Sequence, residues 1–124
     1  MTSVQQGLAQ SVKAIVAGGR DFDDSTRLMN VLDDLFPDGA EIVSGGARGA
    51  DKLGEVYAGQ KGLPLKLFPA DWEKNGKAAG HIRNREMGDY ATHLVAFWDG
   101  KSRGTQGMLK YAEKKNLTVT VIYY

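Results

Sequence analysis

Short apolar runs alternate with segments of helical periodicity along most of this chain. The runs are bounded by glycine, proline or charged residues, which is typical of buried strands. The predicted strands are 12–17, 41–44, 64–68, 93–98 and 118–123. Between them, apolar spacing predicts helices after Asp23–Ser25, at about 49–60, at about 79–91 and around 105–112, with 69–80 as a polar loop. In the second helix, the spacing places Leu53, Val56 and Tyr57 on the inward face.

This regular alternation of strand and helix predicts the fold class. We expect an α/β, Rossmann-like fold: an open, mostly parallel sheet of about five strands with helices on both faces. Because strand–helix–strand crossovers are right-handed, the loops that follow the strands meet at the carboxyl edge of the sheet. Ligands of open α/β sheets bind at that edge.

Length and composition are those of one small globular domain. The chain has 124 residues, of which 42% are hydrophobic and 25% charged. We predict a flexible tail over 1–11, which is polar, and a single domain over 12–124.

Composition also excludes several kinds of chemistry and partner. The absence of cysteine removes disulfides, thiolate nucleophiles and cysteine-based zinc sites. No apolar run approaches the ~20 residues of a membrane span, and the first ten residues lack the features of a signal peptide. We therefore expect a cytoplasmic protein with no membrane partner. The formal net charge of +1 argues against a nucleic-acid partner.

The strongest local motif is Ser44-Gly-Gly-Ala-Arg-Gly-Ala-Asp51, between a strand and a helix. Glycine lets the backbone approach an anion closely, and the helix that follows offers free N–H groups. Arg48 is placed for a bidentate contact to phosphate. Asp51 is placed either to cap backbone N–H groups or to accept a ribose hydroxyl. A loop that only packs helix against strand is the competing interpretation.

Three other loops carry similar residues toward the same edge. Gly18-Gly19-Arg20 ends the first strand, and 98–105 connects the fourth strand to the last helix. The segment 79–87 contributes Arg83 and Asn84 near a helix start. Trp72, in the polar loop, is a candidate for stacking on a base. No Walker A loop, G-x-G-x-x-G sequence or metal-ligand cluster is present in the sequence, so no metal or cofactor is predicted.

The predicted ligand-binding residues all lie in these loops or at the helix starts that follow them. They are Gly18, Gly19, Arg20, Ser44, Gly45, Gly46, Ala47, Arg48, Gly49, Asp51, Trp72, Arg83, Asn84, Asp99, Ser102, Gly104 and Thr105.

Five motifs follow one another along the chain. They are G-G-R-x-F-x-D (18–24), S-G-G-A-R-G-A-D (44–51), P-A-D-W (69–72), A-G-x-x-R-N-x-x-M (79–87) and A-F-W-D-G-x-S-x-G-T (96–105). In this order they resemble the SLOG superfamily, and most closely its YspA/YpsA-like branch. The resemblance implies a Rossmann-like fold and a nucleotide or nucleotide-derived ligand, bound by a sensor or binding module. It also leaves a homodimer open.

The superfamily includes an enzyme family, the Lonely Guy phosphoribohydrolases, from which this chain departs. Those enzymes carry P-G-G-x-G-T-x-x-E, whereas this chain has Asp99-Gly-Lys-Ser-Arg-Gly-Thr105 and then Met108 in place of the catalytic glutamate. Phosphate binding by Gly104 and Thr105 carries over from the resemblance, but cleavage of an N-glycosidic bond does not. If the protein is an enzyme of that kind, the candidate catalytic residues are Arg83, Asp99 and Asp51.

Three hypotheses follow. The first is a nucleotide-binding module, and the second is a nucleotide phosphoribohydrolase or N-glycosidase at the same site. The third is single-stranded DNA binding, by analogy with the DNA-processing protein A family, also of this superfamily. It would use a local basic rim made of Lys74, Lys77, His81, Arg83, Arg85, Lys101 and Arg103.

Overall fold

The computed structural model describes residues 12–124, and the predicted tail 1–11 lies outside the described residues. Five strands alternate with the helices. The strands are β1 (Lys13–Gly18), β2 (Glu41–Ser44), β3 (Leu65–Leu67), β4 (His93–Trp98) and β5 (Thr118–Tyr123). The helices are α1 (Ser25–Leu35), α2 (Ala50–Lys61), the short α3 (Trp72–Asn75), α4 (Ala79–Tyr90) and α5 (Arg103–Lys114), with a 3-10 turn at Gly76–Ala78.

The strands form one parallel sheet in the order β3-β2-β1-β4-β5. Ile15 in β1 pairs with Val43 on one side and with Leu94 on the other. The chain therefore runs outward from β1 to β3 and then crosses back to β4, on the far side of β1. The order of the strands reverses between β1 and β4, and a crevice opens at such a switch point. The predicted α/β, Rossmann-like fold is confirmed.

Alternate residues of the central strands face two separate cores, as strand geometry requires. Val16 faces a core with Leu28, Leu32 and Phe97, beneath α1 and α2. Ile15 and Ala17 face a core of buried side chains from α4, β4 and α5 on the other side: Met87, Leu94, Ala96, Met108 and Ala112. Both faces of the central strands are thus covered, and the carboxyl edge is the part of the sheet left for a ligand.

Two predictions about local structure were wrong. Val56 is 53% exposed, because α2 turns Asp51, Gly54 and Ala58 toward the sheet instead. The predicted loop 69–80 contains α3 and the 3-10 turn. Asp71 starts α3 by accepting a 3.1 Å hydrogen bond from the Lys74 amide, a capping contact that favours a helical turn.

No helix within residues 12–124 is long and apolar enough to cross a membrane.

Candidate functional site: two clefts at the carboxyl edge

Two clefts open side by side where the strands end. The loop cleft, of about 480 Å³, lies between the segment 45–48 and the segment 67–72. The central cleft, of about 520 Å³, lies over the ends of β1 and β4, where the strand order reverses. Arg20, Ala47 and Arg83 line both clefts, so the two clefts adjoin. Each is of the size that small-molecule sites have.

The clefts bring together fifteen of the predicted ligand-binding residues. The loop cleft gathers Arg20, Gly45, Gly46, Ala47, Arg48, Trp72 and Arg83. The central cleft gathers Gly18, Gly19, Arg20, Ala47, Asp51, Arg83, Asn84, Asp99, Ser102, Gly104 and Thr105. Ser44 and Gly49 line neither cleft.

Ser44 lies beneath the glycine loop and shapes it. Its side chain is fully buried, and its hydroxyl lies 2.7 Å from a Glu55 carboxylate oxygen. The same hydroxyl accepts a hydrogen bond of 3.1 Å from the Gly46 amide. Ser44 therefore holds the loop in place from below, and its hydroxyl is occupied by protein groups.

The glycines at this edge differ in whether a Cβ would clash with neighbouring backbone. A Cβ on Gly49 would lie 2.1 Å from the carbonyl oxygen of Gly19, and one on Gly18 would lie 2.2 Å from that of Phe97. These two glycines allow one backbone segment to pack directly on another. By contrast, a Cβ on Gly46 or on Gly104 would meet no described atom within 4 Å. The space beside these two glycines is open to a ligand.

Arg83 stands at the junction of the clefts and is fixed there. Its Nη1 donates a 2.6 Å hydrogen bond to the carbonyl oxygen of Gly45, and its Nε donates to Asn84 Oδ1 at 3.0 Å. The Asn84 amide in turn lies 3.4 Å from the carbonyl oxygen of Gly104. Helix α4 thus connects the loop after β2 with the start of α5.

The two clefts differ in charge. Four cationic side chains line the loop cleft, Arg20, Arg48, Lys52 and Arg83, against the single carboxylate of Glu55. Lys52 pairs with Glu55 at 3.5 Å, whereas within residues 12–124 the side chains of Arg20 and Arg48 form no ion pair. The loop cleft therefore attracts anions.

The central cleft is acidic by comparison. Asp21, Asp51 and Asp99 line it together with the two shared arginines. The Asp99 carboxylate accepts 2.8 Å hydrogen bonds from the amides of Lys101 and Ser102. These bonds stabilise its charged form and hold its pKa below the usual value. Asp99 therefore stays ionised and shapes the turn that leads into α5.

Asp51 is the buried carboxyl of the site. It lies in the first turn of α2 with 5% of its surface exposed, and it accepts a hydrogen bond of 3.3 Å from the Ala47 amide. Burial raises the pKa of Asp51 to about 6, against the opposing effects of that amide and of the Arg83 charge. Of the candidate carboxyls Asp51 and Asp99, Asp51 has the pKa suited to exchanging a proton near neutral pH.

The loop cleft also has an apolar part. Leu67, Pro69, Ala70 and Trp72 contribute it, and Trp72 is 55% exposed. Exposed large apolar side chains beside a charged cleft are typical of a binding surface.

The start of α5 has backbone groups to offer a ligand. Within the described residues no side chain caps α5 or α2, whereas Asp24 caps α1 and Asp71 caps α3. Thr105 is buried and Gly104 is exposed at the edge of the central cleft. Met108, which replaces the glutamate of the Lonely Guy motif, is 1% exposed and contributes only apolar atoms to this cleft.

Sequence reasoning missed nine lining residues of the two clefts. Three of them, Lys52, Glu55 and Leu67, lie in the loop cleft and belong to none of the predicted motifs. Glu55 follows Asp51 by four positions, which places both on one face of α2; that spacing is the signal from which Glu55 could have been found. No group of three or more His, Asp or Glu side chains within residues 12–124 is placed to hold a metal ion.

Solved structures with the same fold come from DNA processing protein A. That of Helicobacter pylori, described in a single-stranded DNA binding mode, matches with a TM-score of 0.73 and 20% identity, over 94% of this chain and 67% of that one. That of Streptococcus pneumoniae matches with a TM-score of 0.74 and 18% identity, over 92% of this chain and 50% of that one. The likeness is one of fold.

These structures overturn one prediction. The argument against a nucleic-acid partner was wrong, because a protein with this fold binds single-stranded DNA. The formal net charge of +1 was a poor guide, because binding depends on where charges lie. Here cations concentrate in the loop cleft at the carboxyl edge.

Two comparisons of sequence settle the family. Residues 12–75 match the model of the YspA, cpYpsA-related SLOG family. The Gene 61 protein of Mycobacterium phage D29 is 35% identical over 116 residues, which cover 86% of this chain and 93% of that protein. This chain therefore belongs to the YspA, cpYpsA-related SLOG family.

Proposed function

We propose that this protein binds a nucleotide or nucleotide derivative across the two clefts, with its phosphate in the loop cleft. The observation that carries the proposal is that the loop cleft is lined by cationic and by large apolar side chains together. Arg20, Arg48 and Arg83 line it along with Leu67 and Trp72. A nucleotide correspondingly has an anionic and an aromatic part.

The phosphate is assigned to the loop cleft on the basis of charge. Arg20 and Arg48 have no carboxylate partner within residues 12–124, so a phosphate would replace water and not a protein group. Gly46 adds an exposed backbone with open space beside it. Arginine suits this task because its planar guanidinium binds two phosphate oxygens at once.

The base is assigned to Trp72. Its exposed ring and the neighbouring Leu67 offer a stacking surface, which serves every base because each has a π-face. Ribose hydroxyls would then extend toward the central cleft, where the Asp51 and Asp99 carboxylates are hydrogen-bond acceptors.

Thermal unfolding against AMP, ADP, ADP-ribose, cyclic nucleotides and inorganic phosphate tests the proposal. A ligand at a hundred times its dissociation constant stabilises the folded state by about 2.7 kcal/mol. We expect a nucleotide to raise the melting temperature of the wild type, and Arg48→Ala to abolish the increase. Lys61→Ala is the matched control, because Lys61 is an exposed cation at the opposite end of α2.

No stabilisation by any nucleotide at millimolar concentration would overturn the proposal. An increase that Arg48→Ala and Lys61→Ala leave equally intact would show binding elsewhere.

Single-stranded DNA is a second candidate ligand, supported by a different observation. The Helicobacter pylori protein of the same fold binds single-stranded DNA, and here an exposed Trp72 lies beside the cationic cleft, as in single-strand sites that stack bases. A salt titration of binding to a thymidine oligomer separates the candidates. Affinity for a strand falls steeply with salt because counterions are released, whereas a single nucleotide contributes only one such contact.

A further inference from the structure

A third cavity lies between helices α4 and α5, outside the two clefts. It has a volume of about 260 Å³, and we call it the helix groove. His81, Asn84 and Arg85 line it from α4, and Gly107, Lys110, Tyr111 and Lys114 line it from α5. Their spacing of three and four residues places each set along one face of its helix.

The helix groove is cationic. Arg85, Lys110 and Lys114 are exposed and line it, and no carboxylate is among its lining residues. Asp89, one turn beyond Arg85, is engaged by the Tyr111 hydroxyl at 2.6 Å and by Lys115 at 3.3 Å. Within residues 12–124, Arg85, Lys110 and Lys114 form no ion pair. Three like charges in one concavity favour an anionic occupant.

The helix groove adjoins the central cleft. Asn84 lines both the helix groove and the central cleft, and Arg83 lines both the central cleft and the loop cleft. The three cavities therefore form one series across the carboxyl edge and the outer surface of α4 and α5. A mononucleotide, with one phosphate group, would leave the cations of the helix groove unused.

We propose that the helix groove binds backbone phosphates of a single-stranded nucleic acid whose neighbouring nucleotide occupies the clefts. The inference rests on the second candidate of the proposed function and extends it to a strand of several nucleotides. Arg85, Lys110 and Lys114 contact the phosphates, because these three cations and the absence of a lining carboxylate make the groove attractive to the charge of the strand's backbone.

Gly107 allows a sharp test, because it lies within α5 and a Cβ there would meet no described atom within 4 Å. Gly107→Glu places an acidic side chain in the groove and replaces a poor helix former with a good one. Gly59→Glu is the matched control: Gly59 lies within α2, has equally open surroundings and lines none of the three cavities. Both variants change the net charge by the same amount.

Fluorescence anisotropy with thymidine oligomers of increasing length, alongside calorimetry with a mononucleotide, gives the readout. We expect Gly107→Glu to weaken binding of a long oligomer by about tenfold, since it removes the attraction for phosphates there. Its affinity for the mononucleotide stays within twofold of the wild type, and Gly59→Glu changes neither. The logarithm of the association constant for the oligomer falls linearly with the logarithm of the salt concentration. In the double variant Lys110→Ala, Lys114→Ala this slope becomes shallower by ~1.4, because each lost contact to a single strand contributes ~0.7.

The outcomes separate this inference from the proposed function. One outcome is that mononucleotide binding needs Arg48 but oligomer binding is unaffected by Gly107→Glu. This result would overturn the proposed role of the helix groove and leave nucleotide binding in the clefts intact. If the protein binds the mononucleotide but no oligomer, the proposed role of the helix groove is likewise wrong and nucleotide binding in the clefts stands. Failure to bind either molecule overturns both.

Discussion

The Arg83 guanidinium donates a 2.6 Å hydrogen bond to the carbonyl oxygen of Gly45, and this contact ties helix α4 to the loop after β2. It depends on the glycine, because a Cβ at position 45 would lie 2.6 Å from Arg83 Nη1. Arg83 lines both clefts, so its position sets the boundary between them. The absence of a Cβ at Gly45 therefore allows the Arg83 guanidinium to lie between the two clefts.

Gly45→Ala should therefore impair both binding and folding. The atoms in the way belong to Arg83, and moving them breaks its hydrogen bond to the Gly45 carbonyl, so we expect the free energy of unfolding to fall by about 1 to 3 kcal/mol. Nucleotide affinity should fall by about ten- to a hundredfold, because a charge-assisted contact contributes about 1.5 to 3 kcal/mol. Chemical denaturation and calorimetry measure the two quantities.

Gly59→Ala, in open surroundings on α2, is the control for Gly45→Ala and should alter neither binding nor folding adversely. Unchanged nucleotide affinity in Gly45→Ala would mean that Arg83 does not contact the ligand.

Gly49 and Gly46 should respond very differently to alanine. Both have a φ of +78°, and holding a non-glycine residue at such a positive φ costs about 1 to 3 kcal/mol. At Gly49 the new Cβ would also lie 2.1 Å from the Gly19 carbonyl oxygen, a backbone atom. We expect Gly49→Ala to lower the free energy of unfolding by more than about 4 kcal/mol, and Gly46→Ala by only the backbone cost. Urea unfolding of both variants checks this, and equal losses would show that the two backbones do not pack as described.

The fold was predictable because its signals are local. The apolar runs at 41–44, 93–98 and 118–123 coincide with β2, β4 and β5, and alternation with helices implies a parallel sheet. Val56 was wrongly placed on the inward face because the prediction followed the spacing of large apolar side chains. Helix α2 instead packs close to β1 through Gly54, where a Cβ would lie 2.8 Å from Val16. Small residues that permit close packing carry little hydrophobic signal.

Glycine was the main signal for the candidate site in the sequence. Gly45, Gly46 and Gly104 drew attention to their loops, and the structure brings those loops to one edge. Lys110 and Lys114 could not be assigned from sequence, because on a helix surface they look like any solvated lysines. Only the packing of α5 beside α4 makes their side of α5 one wall of a groove.

Asp51 should make stability depend on pH. Burial raises its pKa from 3.8 to about 6, so between those values the folded protein binds more protons than the unfolded chain. The free energy of unfolding therefore falls as pH rises through this window. Between pH 4 and pH 7 we expect the wild type to lose about 2 kcal/mol relative to Asp51→Asn, in which no proton titrates at this position. Urea unfolding at a series of pH values measures the difference, and parallel curves for the two proteins would contradict it.

The protein should bind AMP without cleaving it. Hydrolysis of the N-glycosidic bond needs an acid–base group at the sugar, and Met108 stands where the related phosphoribohydrolases have glutamate. Asp99 is held in its ionised form by the amides of Lys101 and Ser102, which leaves it a poor proton donor. We therefore expect AMP to be recovered intact after prolonged incubation, with free adenine measured by chromatography against a protein-free control. Adenine release that Asp51→Asn abolishes would contradict this and would identify Asp51, with its pKa of about 6, as the acid–base group of an N-glycosidase.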